Sequence, residues 1–219
     1  MNNHNEINPW EEIPLSDYEN HMRLKSVQQL QTLNKMMRRQ FSLCDADTVM
    51  VLGVAGGNGL EHVVECGFKQ VFGVDINPDY LRQCEKRYPK LNGVLKCVCA
   101  DLTTSGSVLP HADLLIANLL IEYIGYECFC RTVTKVHPQC VSCIIQINVD
   151  DGFVSDSPYL HVFDGLERVH HQMQEEELAS SMQAIGYRLI DKMEEPLPNG
   201  KKLVEMDFIL DFHRLNLTD

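Results

Sequence analysis

Four glycines and one acid are spaced so that a backbone turn and a carboxylate could hold a nucleoside-containing ligand. An apolar run over residues 49–54 breaks into a turn that contains Gly53, Gly56, Gly57 and Gly59. Glycine permits positive φ and a close approach of backbone to ligand, and the helix that follows such a turn presents free N–H groups to an anion. A second apolar run ends in Asp75, where nucleoside sites place an acid for two ribose hydroxyls. The glycines alone would also fit a tight structural turn, so Asp75 carries the prediction.

Apolar runs of strand length must position these groups. The pattern predicts parallel strands over residues 49–54, 70–74, 94–100 and 112–117. Polar residues follow the second, third and fourth of them, at Asp75, Asp101 and Asn118. Ligands of open α/β sheets bind beyond the carboxyl ends of the strands. We therefore expect these side chains to lie around one site.

The last part of the chain predicts an antiparallel hairpin. Residues 202–210 alternate apolar and acidic side chains with a period of two, and a link containing proline, asparagine and glycine separates them from a second strand over residues 187–194. A dinucleotide-binding sheet would instead close with a parallel strand. The G-x-G-x-x-G fingerprint also fits poorly, because counting from Gly53 it meets Ala55 and counting from Gly57 it meets His62.

In order and spacing, residues 48–210 resemble the class I S-adenosylmethionine-dependent methyltransferases. The resemblance implies an α/β fold: a Rossmann-like, seven-stranded, mostly parallel sheet with helices on both faces, a terminal antiparallel hairpin and, here, an N-terminal helical extension. The family loop usually reads acid-x-Gly-x-Gly-x-Gly. This chain has Gly53, Ala55, Gly57 and Gly59 at those four places, so the acid is missing.

The resemblance also implies roles for individual residues. Gly53, Ala55, Gly57 and Gly59 would line the methionine part of S-adenosyl-L-methionine, and Asp75 would bind its ribose. Ile76 would lie against the adenine, and Asp101 and Leu102 would meet its amino edge. Asn118 would complete the cofactor site. Asp75 and Asp101 would also fit as ordinary caps of the elements that follow them.

Residues 1–41 are expected to form an N-terminal extension to a methyltransferase domain over residues 42–219. The sequence predicts an extended lead-in over residues 1–16 and one helix over residues 17–41, capped by Ser16 or Asp17. The extension is predicted to cover the substrate side and not to belong to the cofactor site; packing on the sheet edge fits equally well. The predicted substrate-binding residues are Trp10, Tyr18, His21, Glu122 and Tyr123.

Methyl transfer from a sulfonium mainly requires alignment and exclusion of water, so a catalytic dyad is not required. His161 and His170 are the predicted catalytic bases because histidine titrates near neutral pH. His171, Glu122 and Tyr123 are further candidates. The acceptor pocket is expected between residues 10–21, 118–123 and 153–171.

The charge and composition of the chain restrict the classes of partner that it can bind. The formal net charge of −12 disfavours nucleic acid and anionic membranes as partners, and no run is long and apolar enough to span a bilayer. The start shows no signal-peptide pattern, which predicts a cytoplasmic protein, as a monomer or homodimer. Cys140 and Cys143 would point to opposite faces of a strand, so we predict no metal site. Asn118 is not followed by Pro-Pro-Tyr, and no Pro-Cys pair occurs, so two nucleic-acid methylation signatures are absent.

The sequence therefore predicts S-adenosylmethionine-dependent methyl transfer to a small-molecule acceptor by in-line displacement. A binding module without turnover is the alternative, since the missing acid could mark lost activity. A nicotinamide-dependent oxidoreductase is a weaker alternative.

Overall fold

A computed structural model describes residues 7–148 and 152–211, and within them the chain forms one seven-stranded sheet. The strands are β1 (Thr48–Leu52), β2 (Gln70–Asp75), β3 (Leu95–Cys99), β4 (Leu114–Asn118), β5 (Cys140–Ile147), β6 (Tyr187–Pro196) and β7 (Lys202–Leu210). Their order in the sheet is β3-β2-β1-β4-β5-β7-β6. The first five strands are parallel to one another, whereas β7 is antiparallel to both β5 and β6. The predicted mostly parallel sheet with a terminal hairpin is confirmed.

Helices cover both faces of the sheet, as predicted. They are α1 (Pro9–Glu12), α2 (Leu15–Arg23), α3 (Gln29–Gln40), α4 (Val63–Cys66), α5 (Pro78–Arg87), α6 (Ile121–Val136) and α7 (Glu175–Ala184). Alternate residues of β1 enter different cores: Val49 and Val51 pack in the one that includes α4 and α5, and Met50 and Leu52 in the one that includes α6 and α7. This alternation follows from the two-residue period of a strand.

The N-terminal extension differs from its prediction in detail. The single helix expected over residues 17–41 is two helices, α2 and α3, because residues 24–28 form a turn in which Gln28 adopts a left-handed φ of 54°. Helix α2 begins at Leu15, directly after Pro14, so Ser16 and Asp17 lie inside it and do not cap it. The lead-in also contains the short helix α1, which the side chain of Asn8 caps.

Helix α6 is kinked within its second turn. Gly125 has φ 73° and ψ 163°, which no L-residue adopts readily and which interrupts the helical backbone. The carbonyl of Glu122 accepts a hydrogen bond from the N–H of His171 (2.7 Å). The first turn of α6 therefore stands as a separate unit at the carboxyl end of β4.

The two cysteines of β5 behave as the strand period predicts. Cys140 packs in the core on one face of the sheet and Cys143 in the core on the other. Among the described residues, no group of three or more histidine, cysteine or acidic side chains is placed to hold a metal ion. None of the helices described has the length and apolar character that crossing a membrane requires.

Candidate functional site

The glycine turn after β1 adopts the left-handed backbone that its sequence predicts. Gly53, Gly57 and Gly59 have φ values of 66°, 83° and 90°. Ala55 also has a positive φ, 47°, although it carries a side chain. A non-glycine residue held in this region is strained by about 1–3 kcal/mol, and such strain is concentrated at functional sites. Ala55 keeps the conformation because its N–H donates to Asp75 Oδ2 (2.8 Å).

Asp75 joins this turn to the next helix. Its Oδ2 accepts the N–H of Ala55, and its Oδ1 accepts the N–H of Asn77 at 2.9 Å. The side chain is buried, and burial raises the pKa of its carboxyl above the ordinary value, against the opposing effect of these hydrogen bonds. The carboxylate is therefore held in one orientation at the carboxyl end of β2.

Most predicted cofactor residues line one cavity of about 80 Å³ at the carboxyl ends of β1 to β4, which we call the strand-end cavity. Gly53, Ala55, Asp75, Ile76, Asp101, Leu102 and Asn118 all contribute to its wall. Asp101 also acts as a local cap, because its Oδ1 accepts both the N–H (2.8 Å) and the hydroxyl (2.6 Å) of Thr103. The position of Asp101 is therefore compatible both with a contact to the cofactor and with a purely local cap.

Gly57 and Gly59 face other parts of the protein. A Cβ atom at Gly57 would lie 2.7 Å from the Tyr88 ring and 2.8 Å from Cys84 Sγ, and one at Gly59 would lie 2.7 Å from Met37 Sδ. These glycines shape the turn and let it pack against its neighbours. A side chain at Gly57 would thus disturb this packing.

A second cavity, of about 50 Å³, adjoins the first. We call it the aromatic cavity because Trp10, Tyr18, Tyr123, Phe153 and Phe163 contribute to its wall. Trp10, Tyr18, Leu119 and Tyr123 line both cavities. The three segments predicted to surround an acceptor pocket therefore do meet around one space, at the carboxyl end of the sheet.

Two side chains from outside the N-terminal extension hold it over this region by donating hydrogen bonds to backbone carbonyls of the extension. Asn77 Nδ2 donates to the carbonyl of Trp10 (2.9 Å), and the Tyr80 hydroxyl donates to the carbonyl of Ile13 (2.8 Å). Both donors are buried and belong to the start of α5 and the residue that caps it. The extension therefore lies over the strand-end cavity as well as the aromatic one.

Glu122 is the buried acid of the aromatic cavity. Only 3% of the residue is exposed, and its Oε1 accepts the N–H of Gln146 (2.7 Å). Within the described part of the chain, its Oε2 has no hydrogen-bond partner. Burial raises the pKa of Glu122 to about 7, with the hydrogen bond from Gln146 opposing the shift.

The two predicted bases lie in different settings. His170 lines the aromatic cavity, where its ring stacks on Phe153 with centroids 3.9 Å apart. Burial lowers the pKa of His170 to about 4, so its ring is neutral at physiological pH. His161 is exposed and is not among the described residues that line the cavity. His21 also lines it, and its Nδ1 is 2.8 Å from Ser157 Oγ.

A third cavity, also of about 50 Å³, continues from Gly53 and Ala55 to Glu19 and is called here the Glu19 cavity. Glu19 lies on α2 and is buried, and Arg87 binds it through two hydrogen bonds of 2.6 and 3.1 Å. Arg87 also donates to the carbonyl of Gly56 (2.9 Å). An acid thus stands beside the glycine turn in space, although the turn itself has none.

Asn118 is oriented by a partner that the sequence did not suggest. Its Nδ2 donates to Gln40 Oε1 (2.8 Å), and its Oδ1 accepts from Gln40 Nε2 (2.9 Å). Gln40 Nε2 also donates to Ser142 Oγ, which in turn donates to Asp207. Leu119, the next residue, has a positive φ of 53° and lines two of the cavities. Nothing in the sequence signals this strained position.

Comparison with known proteins identifies the fold. No protein-family model matches the sequence, and no curated protein matches it. Magnesium protoporphyrin IX methyltransferase from Synechocystis PCC 6803, solved with S-adenosylmethionine bound, has a TM-score of 0.60 at 10% identity, over 95% of this chain and 93% of that one. The chain has the fold of class I S-adenosylmethionine-dependent methyltransferases. The expected resemblance is thus confirmed at the level of the fold.

Two other structures with this fold show its range. The methyltransferase domain of the bacterial protein CtHen1-C has a TM-score of 0.61 at 17% identity, over 88% of this chain and 98% of that one. The [4+2]-cyclase SpnF has a TM-score of 0.63 at 9% identity, over 84% of this chain and 83% of that one. Because one fold serves different reactions, the reaction of this chain has to be argued from its own site.

Proposed function

We propose that this protein is an enzyme that transfers a methyl group from S-adenosyl-L-methionine to a small-molecule acceptor. The observation that carries the proposal is the buried carboxylate of Asp75 beside the left-handed backbone of Gly53 and Ala55, on one cavity at the carboxyl ends of the strands. In this fold, that combination suits the ribose of the cofactor and the methionine part that is attached to it.

The residues of the three cavities fit the parts of the cofactor. Asp75 offers a carboxylate to the ribose hydroxyls, while Ile76 and Leu102 offer apolar contacts to the adenine. Glu19 offers the acid that the glycine turn lacks, and it would steady the ammonium end of the methionine part. When bound, the cofactor supplies a methyl group already activated on a sulfonium; the chain supplies orientation and exclusion of water.

A small acceptor is supported by the shape and lining of the aromatic cavity. The cavity holds about 50 Å³ and is walled by aromatic rings, Glu122, His21 and His170, with no lysine or arginine in its described wall. A nucleic-acid site would instead combine a groove with basic side chains along it. The net charge of −12 agrees with this inference.

The extension over residues 1–41 is proposed to serve both ligands. The sequence favoured a cover for the acceptor alone, but Asn8, Trp10 and Tyr18 line the strand-end cavity and Glu19 the third. Removing residues 1–16 is therefore expected to weaken cofactor binding as well as turnover.

Calorimetry with four ligands tests the proposal. S-adenosylmethionine and S-adenosylhomocysteine are expected to bind, and NAD and NADP are expected not to. Tight binding of NAD with no response to S-adenosylhomocysteine would overturn it. Binding of S-adenosylhomocysteine without release of that product from any acceptor in a broad screen would favour the binding module without turnover.

Trp10 provides an independent optical test, because it is the only tryptophan in the chain and lines the strand-end cavity. Adding S-adenosylhomocysteine is expected to change its emission, with a midpoint that matches the calorimetric Kd. A Trp10→Phe variant should lose this signal while still binding the ligand. Calorimetric binding that leaves the emission of the parent protein unchanged would contradict the position proposed for the cofactor.

A further inference from the structure

The wall of the aromatic cavity has the composition of a cation-binding site. The Trp10 ring meets the Tyr123 ring at 82° with centroids 4.8 Å apart, and meets the Tyr18 ring at 87° with centroids 5.6 Å apart. At these angles the edge of one ring meets the face of the other, and all three rings contribute to the wall of the cavity. The face of an aromatic ring attracts a cation, and aromatic cages recognise ammonium groups in this way.

Glu122, which lines the same cavity, has a buried carboxyl oxygen, Oε2, for which the described residues provide no hydrogen-bond partner. The other carboxyl oxygen is held by the N–H of Gln146, so the side chain cannot turn away without breaking that bond. A buried acceptor without a partner is unfavourable, and a donor on a ligand would remove this penalty. The Oε2 atom can therefore accept a hydrogen bond from a donor on a ligand.

The remaining titratable groups of this wall are compatible with a cation. Burial lowers the pKa of both His21 and His170, so neither ring adds positive charge at neutral pH. Lys201 is the cation close enough to affect both histidines, and its Nζ donates to the carbonyls of Gly152 (2.6 Å) and Phe153 (2.7 Å). Glu122 is thus the group of this wall that can carry a net charge at neutral pH, and that charge is negative.

We propose that the acceptor is an amine, whose ammonium group binds in the aromatic cavity between Glu122 and the rings of Trp10, Tyr18 and Tyr123. This inference rests on the proposed function and narrows it to methylation at nitrogen. The cavity is about a third of the size of one that accepts benzene. It therefore takes a primary or secondary ammonium head group, with the rest of the acceptor outside it.

Glu122 also has a defined part in the reaction. It takes one proton from the ammonium group, which leaves a neutral amine with a free electron pair. That pair forms the new N–C bond to the methyl group while the C–S bond breaks and its electron pair stays on sulfur. The product leaves as a methylated ammonium ion, and Glu122 releases its proton to water. Burial raises the pKa of Glu122 to about 7, which suits a group that both accepts and releases a proton near neutral pH.

Three probes of equal length test the inference directly: n-propylammonium, n-propanol and propionate. Their binding is measured by calorimetry and by Trp10 emission, with and without S-adenosylhomocysteine. We expect n-propylammonium to bind at least about tenfold more tightly than the other two, because a charged hydrogen bond and the ring faces both favour it. Equal binding of all three, or preference for propanol or propionate, would overturn the inference.

Two variants test whether the preference for n-propylammonium depends on Glu122. Glu122→Gln keeps an oxygen for the N–H of Gln146, so it is expected to fold, and it should lose the preference for n-propylammonium. Glu127→Gln is the matched control, because it changes the same charge on the same helix at an exposed side chain; it should keep the preference. A preference that survives in Glu122→Gln would overturn the role of Glu122.

The comparison of probes on the parent protein needs no variant, so it remains decisive if Glu122→Gln proves unstable. Failure of S-adenosylhomocysteine to bind would count against the proposed function. Binding of S-adenosylhomocysteine with no preference for the ammonium probe would count against the amine alone.

Discussion

Asp75→Ala is expected to weaken binding of S-adenosylhomocysteine by about 10- to 150-fold, which corresponds to about 1.5–3 kcal/mol. The variant removes a buried carboxylate from the wall of the strand-end cavity, and charged hydrogen bonds to a ligand are worth about this much. It also removes the acceptor for the N–H groups of Ala55 and Asn77. The free energy of unfolding should therefore fall too.

Asp113→Ala separates the two effects. Asp113 stands just before β4, at the opposite end of the strands from the cavities, and its Oδ2 accepts the N–H groups of Asp47 (3.1 Å) and Thr48 (2.8 Å). This control loses comparable backbone hydrogen bonds, so it should lower stability without changing the calorimetric Kd. An Asp75→Ala protein that is folded and binds with the parent's affinity would show that the ligand lies elsewhere.

Arg39→Met is expected to lower the free energy of unfolding by about 2–4 kcal/mol at pH 8, because it leaves two buried carboxyl groups without their cation. Arg39 Nε donates to Glu205 Oε1 and its Nη2 to Asp207 Oδ2, each at 2.9 Å. Glu205 is fully buried and Asp207 is 2% exposed. We place the effect below the upper range for buried pairs because the Arg39 side chain is 39% exposed. Urea unfolding measures it.

The loss should depend on pH in a defined direction. Burial raises the pKa of Glu205 to about 7 and raises that of Asp207, and Arg39 opposes both shifts. A carboxyl whose pKa is higher in the folded state favours folding when protonated, and this contribution is lost as pH rises from the unfolded value, about 4.5, to the folded one. Without Arg39 both folded values rise further. The variant should therefore differ less from the parent at pH 5 than at pH 8.

Arg38→Met is the matched control on the neighbouring residue. Arg38 pairs with Glu65 at 3.0 Å, but both side chains are more than 60% exposed. An exposed pair of this kind contributes at most about 1 kcal/mol. Equal destabilisation by the two variants would mean that Arg39 does not neutralise the buried acids.

Local sequence signals determined most of the fold. Strand β7 begins and ends at the predicted residues, and β2 begins at its predicted residue and ends one residue beyond its predicted end, because hydrophobic runs and two-residue alternation are short-range properties that burial enforces. The glycine turn and Asp75 were readable for the same reason: positive φ favours glycine, and an acid that follows an apolar run marks the end of a buried strand. The sheet and the residues at its strand ends both follow from such local rules.

The tertiary structure decided what surrounds the cavities. Glu19 lies beside the glycine turn, and Gln40 pairs with Asn118, only because α2 and α3 fold back over the sheet from far away in sequence. Burial, which depends on every element packed around a group, separates Glu122 inside the aromatic cavity from the exposed His161, although sequence alone admitted both as bases. The types of residue at the site can be read from local sequence, whereas their burial, their hydrogen-bond partners and their charge depend on tertiary packing.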